Sequence, residues 1–74
     1  IINMNKVSAK CLLHSKWTKV EVENKEMHFM ITKVDVDDEQ RIVECKIEAV
    51  ISKNEYAINW RDLKDNQCWK QGWQ

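Results

Sequence analysis

The amino-acid sequence predicts a mainly β domain, built as a four-stranded antiparallel meander that is strongly bent or barrel-like. A short helical turn and a tryptophan-rich C-terminal tail follow the meander. Apolar and polar residues alternate through residues 17–60, turn-forming residues separate the alternating segments, and the 74 residues include no proline and one glycine. Alternation with a period of two is typical of half-buried strands, and disordered linkers are normally richer in proline and glycine. The alternative is an α+β sheet with a terminal helix.

A chain of this length forms one domain with one modest core, so the whole chain is predicted as a single unit. It divides into an N-terminal arm (1–16), the meander (17–60) and the tail (61–74). The arm is weakly patterned. It forms either one helical turn with an apolar side or an extended segment that places Leu12 and Leu13 under the sheet.

The first two strands are predicted to form a hairpin around Asn24-Lys25. Val20 and Val22 alternate with charged residues, which is the pattern of a half-buried strand. Asparagine tolerates the left-handed conformation that a tight hairpin loop needs. With this loop, three facing pairs share one face of the sheet: Val22 and Met27, Val20 and Phe29, Thr18 and Ile31.

The second strand changes the parity of its apolar residues part-way. Phe29 and Ile31 occupy odd positions, whereas Val34 and Val36 occupy even positions. Since a shift of one residue turns every side chain to the other face, a β-bulge is predicted near Thr32-Lys33. A polar turn at 37–40 follows, and the predicted facing pairs are Val36 and Arg41, Val34 and Val43, Thr32 and Cys45.

The third strand shows the clearest alternation in the chain. Charged residues separate its inward residues, which are Val43, Cys45, Ile47, Ala49 and Ile51. This pattern predicts a long strand with one face in water. A two-residue loop is predicted at Lys53-Asn54, and it sets Ile51 against Tyr56, Ala49 against Ile58 and Ile47 against Trp60.

The alternation stops after Trp60, and helical signals take its place. Asn59 is predicted to cap one turn of helix that runs through Leu63. Trp69 and Trp73 are four residues apart, which lets them share one face of a helix. Gly72 predicts the end of such a turn.

Composition narrows the classes of function. Charged residues make up 32% of the chain and the net charge is zero, which gives no bulk attraction to nucleic acid or to a membrane surface. The only glycine, Gly72, leaves no phosphate-binding loop. No apolar run reaches the roughly 20 residues that span a bilayer. Three widely spaced cysteines form no disulfide framework and indicate a reducing cytoplasm.

Neither a metal site nor a catalytic site is predicted. Cys11 and His14 have the spacing of half a zinc site, but structural zinc normally needs a second close pair of ligands. The same two residues are the basis of a weaker hypothesis, a cysteine-dependent enzyme, and no neighbouring residue marks Cys11 as activated. We therefore expect no enzymatic activity, no catalytic residue and no cofactor.

The aromatic residues and their basic neighbours are the remaining candidates for a functional surface. On the predicted alternation, Trp17 points away from the apolar face of the first strand. Exposed aromatic residues flanked by cations bind single-stranded nucleic acid, and tryptophan also anchors protein interfaces. The predicted partner-binding surface consists of Lys16, Trp17, Lys19, Trp69, Lys70 and Trp73.

These observations predict a small, non-enzymatic binding module. Its partner is a protein or a single-stranded nucleic acid, and the zero net charge favours the protein. The alternative is a purely structural or homo-oligomeric domain whose tryptophans form the core and whose sheet edges pair between chains.

Four segments of the chain carry a family likeness: LLHSKWT at 12–18, NKEMHF at 24–29, EYAINWRDL at 55–63 and WKQGW at 69–73. Over roughly residues 10–74, the chain resembles a small tryptophan-rich family of uncharacterised bacterial proteins. The resemblance implies a stand-alone bacterial cytoplasmic domain. It implies no catalytic residue, cofactor or partner.

Overall fold

The computed structural model describes residue 5 and residues 7–74, which form one antiparallel sheet of five strands. The strands are β1 (Lys16–Glu23), β2 (Glu26–Val36), β3 (Ile42–Ala49), β4 (Glu55–Ala57) and β5 (Trp69–Gln71). Two short 3-10 helices lie at Ala9–Cys11 and Trp60–Lys64. Residues 1–4 and 6 of the predicted N-terminal arm lie outside the described residues.

The predicted mainly β architecture is confirmed. β1 to β4 form the meander, and the tail adds β5 beside β1, so that the strand order is β4-β3-β2-β1-β5. β4 and β5 are the two edges of the sheet, which is therefore open and not a barrel. The α+β alternative is wrong, because the helices within the described residues are both short 3-10 helices.

The first hairpin turns where the sequence predicts, but its register differs. Asn24 and Lys25 have φ angles of 54° and 62°, as a tight hairpin loop requires. Beyond the loop the register shifts within β1, so that Trp17 faces Phe29. The predicted pairing of Val20 with Phe29 is therefore wrong.

The shift in β1 buries a tryptophan in place of two valines. Trp17 is 2% exposed, whereas Val20 and Val22 are 42% and 49% exposed. A tryptophan removes about 150–250 Å² from water, which is more than a valine offers. β5 also fixes this register, because Lys19 faces Trp69 across the β1–β5 pair.

The predicted bulge in β2 is confirmed. The register with β3 shifts between Ile31 and Lys33, and Ile31 faces Ile47. The predicted pairs further along are displaced: Val34 faces Cys45 and Val36 faces Ile42.

Asp37 explains the displacement at the end of this hairpin. Its Oδ1 atom accepts hydrogen bonds from the backbone N–H groups of Glu39 and Arg41, each at 2.9 Å. These bonds draw Arg41 into the turn, so it does not pair with Val36 as predicted.

The alternation of β3 is confirmed at its centre and wrong at its ends. Cys45, Ile47 and Ala49 are each at most 2% exposed. Val43 and Ile51 are 63% and 71% exposed. Ile51 lies beyond the end of β3, so the period of two no longer decides which way its side chain points.

The connection from β3 to β4 is longer than the predicted two-residue loop. Ile47 faces Tyr56, which places β4 four residues away from the predicted register. Trp60 consequently lies in the second 3-10 helix and not opposite Ile47. The cap of that helix is confirmed, because Asn59 Oδ1 accepts the backbone N–H of Arg61 at 3.1 Å.

The tail forms a strand, so the prediction that Trp69 and Trp73 share a helical face is wrong. Trp69 begins β5, and Gly72, with φ of 75°, ends it. Glycine adopts a positive φ without the steric cost that a side chain adds, which favours the break at this position.

One face of the sheet holds the core, covered by the arm and the second 3-10 helix. Its buried residues are Leu12, Trp17, Phe29, Ile31, Cys45, Ile47, Ala49, Leu63 and Trp69. Of the two predicted arm leucines, Leu12 is buried and Leu13 is 49% exposed. The Asn5 side chain ties the arm down by donating to the backbone carbonyls of Leu63 and Trp69.

We predict that Trp69→Ala destabilises the fold by about 3–5 kcal/mol, because it leaves a large cavity against Phe29. Ile51→Ala is the control, since Ile51 is 71% exposed and its truncation should change stability by about 0.5 kcal/mol or less. Urea unfolding of both variants measures the difference. Equal midpoints for the two variants would show that the tail does not belong to the core.

Candidate basic and aromatic site at the tail

The residues predicted to bind a partner gather where β5 meets β1. Thr18 faces Lys70 and Lys19 faces Trp69 across this pair of strands. Facing residues share a side of the sheet, and neighbours along a strand alternate sides. The predicted surface is thus one region of the fold, but it is divided between two faces.

Trp17 and Trp69 belong to the core face. They are 2% and 9% exposed, and Trp17 Nε1 donates to Ser15 Oγ at 2.8 Å. The Trp69 ring packs edge-on against Phe29, with ring centroids 5.2 Å apart. The expectation that Trp17 faces solvent is therefore wrong, and neither ring lies on the opposite, exposed face that carries Trp73.

Lys16, His28, Lys70 and Trp73 lie together on the opposite face, and we call these four residues the tail patch. Trp73 is 44% exposed. The Nζ atom of Lys16 lies 4.8 Å from the centroid of the Trp73 ring, and the His28 ring lies 6.0 Å from it. A cation at this distance from an indole face is attracted by the ring electrons.

Thr18 holds the tail against the sheet. Its hydroxyl donates to the Gly72 carbonyl at 2.7 Å and accepts the backbone N–H of Gln74 at 3.0 Å. Trp73 adds a third bond, since its Nε1 donates to the Phe29 carbonyl at 2.9 Å. The exposed ring is therefore held in one position, which lowers the entropy that a partner must overcome.

His28 is a member of the patch that the sequence analysis missed. Its Nε2 lies 2.9 Å from the Gln74 carbonyl oxygen. Only the β1–β2 register, in which Thr18 faces His28, brings it beside the tail. The predicted register pairs Thr18 with Ile31, so no sequence signal led to His28.

The lysines of the tail patch differ from Lys19 in their electrostatic surroundings. Lys19 pairs with Glu23 at 3.9 Å on the core side. Lys16 and Lys70 have no carboxylate within ion-pair distance among the described residues. The patch therefore presents uncompensated positive charge beside an exposed aromatic ring.

A second feature that the sequence analysis missed is a groove of about 320 Å³, which we call the Glu26 groove. Phe29, Tyr56 and Trp69 supply its aromatic lining, and Lys19, Glu23 and Glu26 its charged groups. Glu26 is only 4% exposed. This burial was not predictable, because Glu26 reads as an ordinary polar residue beside a hairpin loop.

Glu26 is held by three neutral donors from the β3–β4 connection and β4. Its Oε1 accepts the Tyr56 hydroxyl at 2.7 Å. Its Oε2 accepts the Ser52 hydroxyl and, at 3.1 Å, Asn54 Nδ2. The bonds from Ser52 and Tyr56 hold the pKa of Glu26 below its ordinary value, and the same carboxylate raises the pKa of Tyr56.

Two of the three cysteines, Cys45 and Cys68, lack the lowered pKa of an activated nucleophile. Cys11 and Cys68 are exposed and Cys45 is buried. Burial raises the pKa of Cys45, and partial burial together with Asp65 raises that of Cys68. Across residue 5 and residues 7–74, no three His, Cys, Asp or Glu side chains are grouped as metal ligands. No helix in this part of the chain has the length and apolar character to cross a membrane.

The lowered pKa of Glu26 predicts a pH-dependent contribution to stability. The unfolded carboxyl, near its ordinary value of 4.5, binds a proton at higher pH than the folded one. The contribution is therefore present above pH 4.5 and is lost as the pH falls through the folded pKa. We predict that the difference in unfolding free energy between the wild type and Glu26→Gln is largest near pH 7 and shrinks below pH 4.5.

Urea unfolding at several pH values measures this difference, with Glu21→Gln on β1 as the control. Asp37 also has a lowered pKa. The Glu26→Gln variant should therefore keep part of the acid sensitivity that the wild type shows. A difference that stays constant from pH 7 to pH 3 would contradict the assignment.

Comparison with known proteins finds a family model that covers most of the chain. The model of a family described as tryptophan-rich protein (DUF2389) matches residues 15–74. No curated protein and no solved structure matches the chain. The matched region runs from Ser15 through all five strands to Gln74 and includes both the tail patch and the Glu26 groove. The chain therefore belongs to this tryptophan-rich family.

Proposed function

We propose that the domain is a non-enzymatic interaction module that binds an acidic segment of a partner protein at the tail patch. The observation that carries the proposal is the position of Trp73, 44% exposed and fixed beside Lys16. Tryptophan is enriched among the residues that dominate protein interfaces. Two uncompensated lysines favour a partner with carboxylates near its contact residues.

A protein is a better candidate than single-stranded nucleic acid. Nucleic-acid grooves combine several stacked aromatic rings with a track of cations. The tail patch offers one exposed tryptophan ring, because Trp17 and Trp69 lie in the core. The net charge of zero also gives no general attraction to a polyanion.

The proposed setting is the reducing cytoplasm of a bacterial cell. All three cysteines are free thiols, which suits a reducing compartment. The likeness to a bacterial family supports the same setting.

Self-association is the second candidate. Val20 and Val22 expose apolar side chains on β1, beside the edge strand β5. Exposed apolar surface next to a sheet edge favours pairing between copies. Light scattering across a range of protein concentrations separates a self-associating domain from a monomeric module.

We predict that removing the two patch lysines weakens binding of an acidic peptide. The probe is a fluorescein-labelled 12-residue peptide of glutamates with one central phenylalanine, followed by anisotropy. The double variant Lys16→Ala/Lys70→Ala should bind about tenfold more weakly, which corresponds to about 1.4 kcal/mol. The control Lys10→Ala/Arg61→Ala removes the same charge elsewhere on the domain and should bind as the wild type does.

Two results would contradict the proposal. Equal losses in the two double variants would show that net charge, and not the patch, determines binding. Tighter binding of a labelled oligothymidylate, with an affinity that falls steeply between 50 and 200 mM salt, would indicate a nucleic-acid partner.

A further inference from the structure

The Glu26 groove lies on the core side of the sheet, away from the tail patch, and its chemistry is different. It is a concave space of about 320 Å³, near the lower end of the volumes typical of ligand pockets. That volume suits one long side chain. Rings from three strands line it, because Phe29 belongs to β2, Tyr56 to β4 and Trp69 to β5.

The three aromatic rings lie next to one another and form adjoining walls of the groove. Phe29 meets Trp69 edge-on at 5.2 Å and Tyr56 at 6.4 Å. Tyr56 is the most accessible of the three, with 39% of its surface exposed. Walls of this kind attract cations through the negative faces of the rings.

In the part of the chain that the structure describes, the buried Glu26 carboxylate is the unpaired negative charge of the groove. Glu23 is paired with Lys19, whereas Glu26 has no cation within ion-pair distance among the described residues. An ionised carboxylate has about four acceptor positions. Tyr56 occupies one on Oε1, and Ser52 and Asn54 occupy two on Oε2, so one position remains on Oε1.

We propose that the Glu26 groove binds the guanidinium group of an arginine side chain presented by a partner polypeptide. A guanidinium donates to carboxylates, stacks on aromatic rings and is more weakly hydrated than an ammonium. It therefore suits a groove that combines a buried carboxylate with aromatic walls. Lys19 competes with the guanidinium for the negative charge of the groove. Its ammonium pairs with Glu23 and electrostatically favours the ionised form of Glu26.

The test compares N-acetylargininamide with N-acetylcitrullinamide, its neutral isostere, by calorimetry and by the indole N–H resonance of Trp69. The arginine compound should bind at millimolar concentration and shift this resonance, and the citrulline compound should bind at least fivefold more weakly. Agmatine, which has the guanidinium but no peptide groups, should bind no more tightly than N-acetylargininamide. Tighter binding of agmatine would overturn the polypeptide source in favour of a small molecule.

Single substitutions test the roles of Glu26 and Lys19 in binding the guanidinium group. Glu26→Gln should weaken the arginine compound at least fivefold, and Glu39→Gln in the β2–β3 turn is the matched control. Lys19→Gln should tighten binding about threefold, because it removes the competing ammonium. Since Glu26→Gln also removes hydrogen bonds, circular dichroism must show that it is folded; if it is not, Lys19→Gln and the citrulline comparison decide.

The proposal is overturned if the arginine and citrulline compounds bind equally. It is also overturned if Lys19→Gln leaves the affinity for the arginine compound unchanged, or if no binding is seen at millimolar concentration. Each of these results is independent of the tail patch, because Lys16 and Lys70 are intact in every variant.

Discussion

The pairing of β5 with β1 is the interaction on which the rest of the structure depends. It sets Lys19 against Trp69, which buries Trp69 on Phe29 and fixes the side of β1 that faces the core. Trp17 then becomes a core residue and the β1 valines remain exposed. The same pairing carries the chain through Gly72 to the opposite face, where Trp73 is held. One strand of three residues thus fixes both the core and the tail patch.

Local patterns predicted the parts of the fold that local chemistry decides. The Asn24-Lys25 loop, the bulge near Lys33 and the cap at Asn59 each depend on neighbouring residues, and each is confirmed. The central alternation of β3 is confirmed for the same reason. A period of two within a strand is independent of where its partners lie.

Registers set by distant contacts were not predictable. The β1 register depends on β5, which lies some fifty residues later in the sequence. The β4 register depends on the loop that closes around Glu26, a residue of another hairpin. For the candidate site, the sequence predicts that residues 16–19 and 69–73 form one surface. The strand register decides that this surface is divided between two faces of the sheet. The sequence patterns therefore identify the right region, but of its three tryptophan rings Trp73 is exposed and Trp17 and Trp69 are buried.

The central claim, that the tail is a strand of the sheet, is tested most directly by amide hydrogen exchange. The backbone N–H of Val20 donates to Cys68 and that of Gly72 to Lys16, at 2.9 and 2.8 Å. These two amides should exchange far more slowly than those of an unstructured peptide, as should the β2–β3 amides. Exchange of the Val20 and Gly72 amides at unprotected rates, while the β2–β3 amides stay protected, would contradict the account.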